Sequence, residues 1–174
     1  GVLEWQGRRV DLGPDWERLT VAEGFRRHAP CTVEEALRKD QFDELLVEYV
    51  EPHLGMTTPT FLYDYPAALG ALARLSPTDP SVAERFELYV AGLELANGFS
   101  ELVDPVEQRA RFIAEQEAIR HQGRDPGPMP ERFLDTLEEM PPAAGIALGV
   151  DRLVMLFTGA ERIDQVVVIT PERL

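Results

Sequence analysis

The spacing of apolar residues changes near residue 60, and that change organises the chain. Before it, Phe42, Leu45, Leu46 and Tyr49 recur at helical spacing between Asp40 and Val50, predicting an amphipathic helix ended by Pro52 and Gly55. Two shorter helices are signalled upstream. Thr20 can cap one that opens at Val21, and Thr32 followed by Glu35 makes a capping-box pattern for the other. Residues 1–56 therefore read as a small helical section on the face of a larger domain, residues 57–174.

From residue 60 the period becomes two. Thr60 to Tyr65 reads as a strand, Pro66 to Leu75 as a turn followed by a strand, and Ser76 to Ser81 as a loop. Arg85 to Val90 and Leu93 to Ala96 alternate across Ala91-Gly92, the pattern of a hairpin. Pro105 opens a helix running to about Gln122, a proline-rich loop covers 123–130, and a second helix runs from Glu131 to Met140. Gly145 to Gly159 reads as a buried strand, a glycine step and a helix with Asp151 as its N-cap. Gln165 to Thr170 is the last expected strand. Strands with helices grouped between them indicate an α+β fold with a mixed, largely antiparallel sheet flanked by helices.

Charge and composition narrow the function. The net charge is −14 and no basic stripe interrupts it, which argues against a general binder of nucleic-acid backbone and suits a basic protein partner. A single cysteine, Cys31, excludes an internal disulfide framework and fits a reducing compartment, so a cytoplasmic protein is expected. No apolar run is long enough to span a bilayer. The three histidines lack metal-ligand spacing, and no Ser-His-Asp or Cys-His arrangement stands out.

Arg152 is the unusual residue. A cation at the positive end of a helix dipole opposes the ordinary preference, so either a phosphate or stacked purine wants it there, or it pairs with Asp151 or a nearby glutamate. Glu94 and Glu101 form the second candidate. They are seven residues apart, which on a regular strand puts them on opposite faces; one extra residue at Asn97-Gly98 would bring both, with Asn97, into one pocket. Such a cluster can hold Mg²⁺ on ATP phosphates or receive a substrate ammonium; the bland alternative is a charged hairpin edge that resists aggregation. Arg85 can tie its strand to a neighbouring carboxylate, and Tyr63, Tyr65 and Phe99 read as core aromatics.

Taken together, Gly145-Ile-Ala-Leu-Gly-Val-Asp-Arg152-Leu-Val-Met-Leu resembles motif 3 of the class II aminoacyl-tRNA synthetases, the lysyl group above all. Pro59-Thr-Phe, Glu84-Arg-Phe-Glu87 and Glu94-Leu-Ala-Asn-Gly-Phe-Ser-Glu-Leu102 resemble further elements of that group in the same order, over roughly residues 57–174. The resemblance implies ATP and Mg²⁺ as cofactors, with Glu94, Leu95, Gly149 and Arg152 at ATP and Arg152 catalytic. It also implies Glu94 and Glu101 at the metal, and Glu101, Asn97 and Ala147 at the amino acid. Alanines at 96 and 147, where the synthetases prefer glycine, resemble the elongation factor P–lysine ligases. Those enzymes join lysine or (R)-β-lysine to elongation factor P rather than to tRNA. Neither motif 1 nor motif 2 is evident in these 174 residues, although Leu3-Glu4-Trp5 echoes the segment that follows motif 2. The expectation is a piece of a ligase that is a homodimer when whole, or else a piece of a lysyl-tRNA synthetase or a non-catalytic binding module.

Overall fold

A computed structural model describes residues 1–170. Strands β1 (Val2–Trp5) and β2 (Arg8–Asp11) form an antiparallel hairpin. Its turn needs positive φ at both central residues, and Gln6 and Gly7 supply 48° and 73°. Strand β3 (Glu17–Thr20) follows and pairs in parallel with β4 (Thr60–Pro66). Strands thus precede the helices in a stretch where periodicity signalled only helices. Each of the three is four residues long with a single buried position (Trp5, Val10 or Leu19), too little to register an alternation.

Three helices lie between β3 and β4: α1 (Val21–His28), α2 (Val33–Arg38) and α3 (Phe42–Leu45). The first two start as expected. Thr20 accepts from the Glu23 amide, and Thr32 and Glu35 complete their capping box. The third does not run on as one helix. It widens into a π turn over Leu46–Val50 and then a 3-10 turn over Glu51–His53. The wider turn keeps Phe42, Leu46 and Val50 inward and leaves Tyr49 exposed, where regular spacing put it inside.

The main sheet has the order β3-β4-β5-β6-β7, with β5 (Val82–Val90), β6 (Leu93–Ser100) and β7 (Ala144–Leu148). All its pairings except β3–β4 are antiparallel, as expected. The β5–β6 turn falls at Ala91 and Gly92, whose φ values of 55° and 81° match the twist of the strands. One face of the sheet packs on α1–α3 through Leu19, Phe25, Leu46, Leu62 and Tyr89. Helix α6 (Val150–Thr158) and the β1–β2 hairpin enclose a second core of Trp5, Val10, Leu95 and Met155. Helices α4 (Pro105–His121) and α5 (Glu131–Leu137) fill the excursion between β6 and β7, α5 stopping short of the expected Met140.

Three expectations are corrected. Strand β7 is the edge of the sheet and every one of its residues is exposed, so its apolar run marks an open edge and not a buried strand. Helix α6 opens at Val150 with Gly149 as N-cap, so Asp151 sits inside the first turn, where its charge still suits the helix dipole. Gln165 to Thr170 is not a strand: a 3-10 turn covers Ile163–Gln165 and irregular chain follows. Strand propensity in Val166 to Ile169 cannot act without a neighbouring strand to pair with.

Candidate active site on the face of strands five to seven

The extra residue that parity requires is present, two residues before the expected Asn97-Gly98. Leu88 pairs with Ala96 but Tyr89 pairs with Glu94, so Leu95 is the inserted residue. Asn97 and Gly98 stay in regular register between Glu87 and Phe86 on one side and Ala147 and Ile146 on the other. Gly98 is needed for a different reason, since a Cβ there would lie 2.7 Å from the Phe86 ring. The bulge at Leu95 returns Glu94 to the face that carries Asn97 and Glu101.

That shared face holds two cavities. A small one of about 250 Å³ is bordered by Glu51, Tyr65, Glu87 and Glu94. A larger one of about 600 Å³ is bordered by Asn97, Phe99, Glu101 and Ala147. Arg85 borders both, so Glu94 and Glu101 share a face without sharing a cavity.

Glu87 is the hub. It is 7% exposed, yet each of its oxygens is engaged. Arg85 and the Asn97 amide donate to Oε1 at 2.6 and 3.0 Å, and the Tyr89 hydroxyl donates to Oε2 at 2.7 Å. Arg85 therefore does tie its strand to a neighbouring carboxylate, and its guanidinium also lies 4.3 Å from the centre of the Tyr65 ring. A carboxylate this buried and this fully satisfied is held in one orientation. The sequence placed Glu87 in the Glu84-Arg-Phe-Glu87 element without giving it a role. The signal was there in the alternation of Arg85, Glu87 and Tyr89, which puts all three on the face of Asn97.

The remaining expected residues fall around this hub. Arg152 reaches back from α6 to the Glu94 carbonyl at 2.7 Å and to Glu94 Oε2 at 3.2 Å, while its side chain stays 44% exposed. Of the two sequence readings of Arg152, pairing with a nearby glutamate is the one present, and the pairing leaves donors facing solvent. Leu95 serves through its backbone: its side chain is buried in the second core, and its carbonyl accepts from the Gly149 amide at 2.7 Å. Bulge and helix start are thereby locked together, and Arg152 is aimed at Glu94. Tyr65 is a core residue as expected, whereas Tyr63 and Phe99 are only half-buried and border open cavities.

Glu51, also unanticipated, closes the small cavity. The Tyr89 hydroxyl, already 2.7 Å from Glu87, lies 3.1 Å from Glu51 Oε1. One hydroxyl proton cannot serve two carboxylates fully, so the longer contact is best served when Glu51 is itself protonated. Burial raises the Glu51 pKa above 4.5; the hydrogen bond from Tyr89 opposes the rise, and the charges of Glu87 and Glu94 add to it. Burial likewise pushes the Tyr65 and Tyr89 hydroxyls up. A carboxyl whose pKa is higher folded than unfolded favours the fold at low pH, and that favour is lost as pH rises through the folded value. Unfolding in denaturant across pH 4 to 8 should therefore show Glu51→Gln gaining stability over the parent above about pH 4.5. Equal pH profiles for the two proteins would contradict the buried, raised carboxyl.

Donor chemistry decides what the site could hold. No group of three His, Cys, Asp or Glu among the described residues is placed to form a metal cage. Mg²⁺ needs less, since one or two carboxylates suffice when substrate phosphates supply other ligands. Glu94 is open to that role, whereas both oxygens of Glu87 are already hydrogen-bonded; Glu101, the other carboxylate expected at the metal, borders the neighbouring cavity.

Comparison with known proteins gives the family of the chain. The family described as tRNA synthetases class II (D, K and N) matches residues 3–172, well beyond the stretch from residue 57 that the motifs covered. The elongation factor P–(R)-β-lysine ligase of Proteus mirabilis is 51% identical over 164 residues, which is 92% of this chain and 50% of that protein. That of Vibrio cholerae is 48% identical over 173 residues, 86% of this chain and 53% of that protein. The lysine–tRNA ligase of Methylobacillus flagellatus is 41% identical over 188 residues, 95% of this chain and 37% of that protein. The chain thus spans about half or less of the curated relatives it matches.

Proposed function

The chain belongs to the class II tRNA synthetases of the D, K and N group, and from that membership we propose that it contributes to activating a lysine-type amino acid with ATP for transfer to a lysine of elongation factor P. The observation that carries the reading is the arrangement of carboxylates on one sheet face. Glu94, bonded to Arg152, lies at one end, and Glu101, with Asn97 and Ala147, lies at the other.

In this reading Arg152 gives up part of its contact with Glu94 to meet ATP phosphates or base. Glu94, with Glu101 as the second carboxylate, would hold Mg²⁺, which when bound offsets charge on those phosphates. Gly149 and the Leu95 backbone give the nucleotide a close approach. Glu101 and Asn97 take the amino group of the amino acid. The amino acid carboxylate attacks the α-phosphate, giving an adenylate and pyrophosphate, and no side-chain nucleophile is needed. The methyl of Ala147, where the synthetases have glycine, narrows the amino acid cavity and favours a β-amino acid, a methyl-scale discrimination of about 1–3 kcal/mol. The same reading makes the whole protein a cytoplasmic homodimer with an acidic surface that suits elongation factor P better than tRNA.

A second reading, a piece of a lysine–tRNA ligase, is favoured by the match that covers 95% of this chain. Mass spectrometry of elongation factor P incubated with the protein, ATP, Mg²⁺ and (R)-β-lysine or lysine separates the two. A mass gain on one lysine of the factor is expected, and Glu101→Gln should remove it. Charging of tRNA with no gain on the factor would establish the second reading, and neither product would contradict a catalytic role for this chain.

A further inference from the structure

Glu101 hangs just past the end of β6, where backbone contacts hold it. On one side its amide donates to the Ala143 carbonyl at 2.9 Å, at the entry to β7. On the other it bridges to Ala73 in the extended strap of residues 70–75. Two hydrogen bonds flank that bridge: the Arg74 amide to the Ser100 carbonyl at 2.7 Å, and the Leu102 amide to the Leu72 carbonyl at 2.9 Å. The strap is also a wall of the larger cavity, since Gly70, Ala71 and Leu72 border it opposite Ala147. Whatever places the strap therefore places both the carboxylate and the wall that faces it.

The strap does not hold its own shape. Ala71 has φ of 47°, left-handed backbone that a residue with a Cβ adopts at a cost. Such strain persists only where surroundings over-determine it, and it concentrates at ligand sites. The over-determining group is Arg111 on α4. One of its terminal nitrogens donates to the Ala71 carbonyl at 2.9 Å and to the Ala73 carbonyl at 2.8 Å, spanning the strained residue and the bridging one. The other terminal nitrogen bonds Glu107, one turn back on the same helix. The Arg111 side chain is 20% exposed, and its bonds to Ala73 and Glu107 are partly shielded from water. The base of α4 is firm in turn, because Asp104 Oδ1 accepts from the Val106 and Glu107 amides at 2.8 and 3.2 Å.

We propose that Arg111 is a positioning residue for the amino acid end of the site: it clamps the 70–75 strap to α4 and, through the Ala73–Glu101 bridge, holds the Glu101 carboxylate where a substrate ammonium meets it. The role of Glu101 in this inference rests on the function proposed above, whereas the clamp itself does not. Arg111 touches no substrate. It acts at a distance by limiting where Glu101 can stand, and misplacement of a contact by about an ångström is enough to cost about a hundredfold.

The test compares the parent chain with Arg111→Met and Arg111→Lys. Methionine keeps the apolar stem and removes every donor; lysine keeps a charge that can reach one carbonyl but cannot span two in a fixed plane. Hydrogen exchange read by mass spectrometry should show faster exchange in peptides covering 72–75 and 100–103 in Arg111→Met. Calorimetry should show affinity for (R)-β-lysine or lysine reduced by about tenfold or more, with ATP affinity unchanged and Arg111→Lys intermediate. Unchanged exchange, or unchanged amino acid affinity, overturns the proposal. A parallel loss of ATP and amino acid affinity also overturns it, because that is what a general structural role gives. Should Arg111→Met fail to fold, Arg111→Lys decides by the same two readouts. A parent chain that binds no lysine-type amino acid defeats the functional reading instead, and the exchange comparison then decides the clamp alone.

Discussion

Arg152→Ala is expected to lower ATP affinity about a hundredfold while leaving the fold almost untouched. The two effects separate because Arg152 is nearly half exposed and its contact with Glu94 is open to solvent. An exposed pair of that kind contributes at most about 1 kcal/mol to stability. Against nucleotide the same guanidinium would make charge-assisted bonds to phosphate, and losing them costs about 2–3 kcal/mol, or tens to a hundredfold in affinity. Lysine should not restore the loss, since a point charge cannot hold the Glu94 backbone carbonyl and a phosphate in the one plane that the guanidinium spans. Calorimetry with ATP and Mg²⁺ alongside a thermal melt checks both halves. An Arg152→Ala protein that binds ATP as the parent does would remove Arg152 from the site.

Gly55→Ala is expected to produce the largest loss of stability of any single methyl added to this chain. Gly55 has φ of 69°, and a Cβ built on it would lie 2.5 Å from the Tyr89 carbonyl oxygen and 2.8 Å from the Val90 Cα. Those atoms are backbone of β5, so they cannot swing aside. The glycine is also fastened on both sides: its amide donates to Thr60 Oγ1 at 3.1 Å, and its carbonyl accepts from the Ala91 amide at 2.7 Å. Left-handed strain of about 1–2 kcal/mol adds to an overpacking cost of about 1–3 kcal/mol, for a total near 3 kcal/mol. A melting temperature lower by about 10 °C follows for a chain of this size. Gly127→Ala is the control. It has φ of 70° with nothing within 4 Å of the added carbon, so only the strain should appear. Equal losses at the two positions would show that the clash with β5 does not exist.

Much of this architecture was legible because local chemistry and tertiary structure agree. Ala91-Gly92, Thr32 with Glu35, and Pro105 each announce a turn, a cap or a helix start, and each occurs as announced. What escaped was decided by neighbours. Leu95 takes the bulge from Asn97-Gly98 because its side chain has the second core to enter, which no feature of residues 94–101 announces. The apolar run of β7 read as buried, but an edge strand and a buried strand are written in the same residues. Val166 to Ile169 carries strand-forming residues and finds no strand to join. At the site, Glu94, Asn97, Glu101 and Arg152 were found by their motifs, and the structure gathers them on one face. Glu87 lay in the Glu84-Arg-Phe-Glu87 element without a role, and Glu51 and Arg111 were missed because their importance lies in hydrogen bonds to residues 38 and 40 positions away. Arg111 sits on a helix whose apolar residues, Val106 and Ile113 among them, do not gather on one face, which gives periodicity little to report.

The central claim is that one sheet face binds ATP at the Glu94–Arg152 end and a lysine-type amino acid at the Glu101 end. Calorimetry on this chain with ATP and Mg²⁺, repeated with (R)-β-lysine and with L-lysine, tests it most directly. Nucleotide should bind, and Glu94→Ala and Arg152→Ala should abolish that binding; amino acid should bind, and Glu101→Gln should abolish it while ATP binding persists. Binding of neither ligand by the parent chain, or binding indifferent to these substitutions, would contradict it.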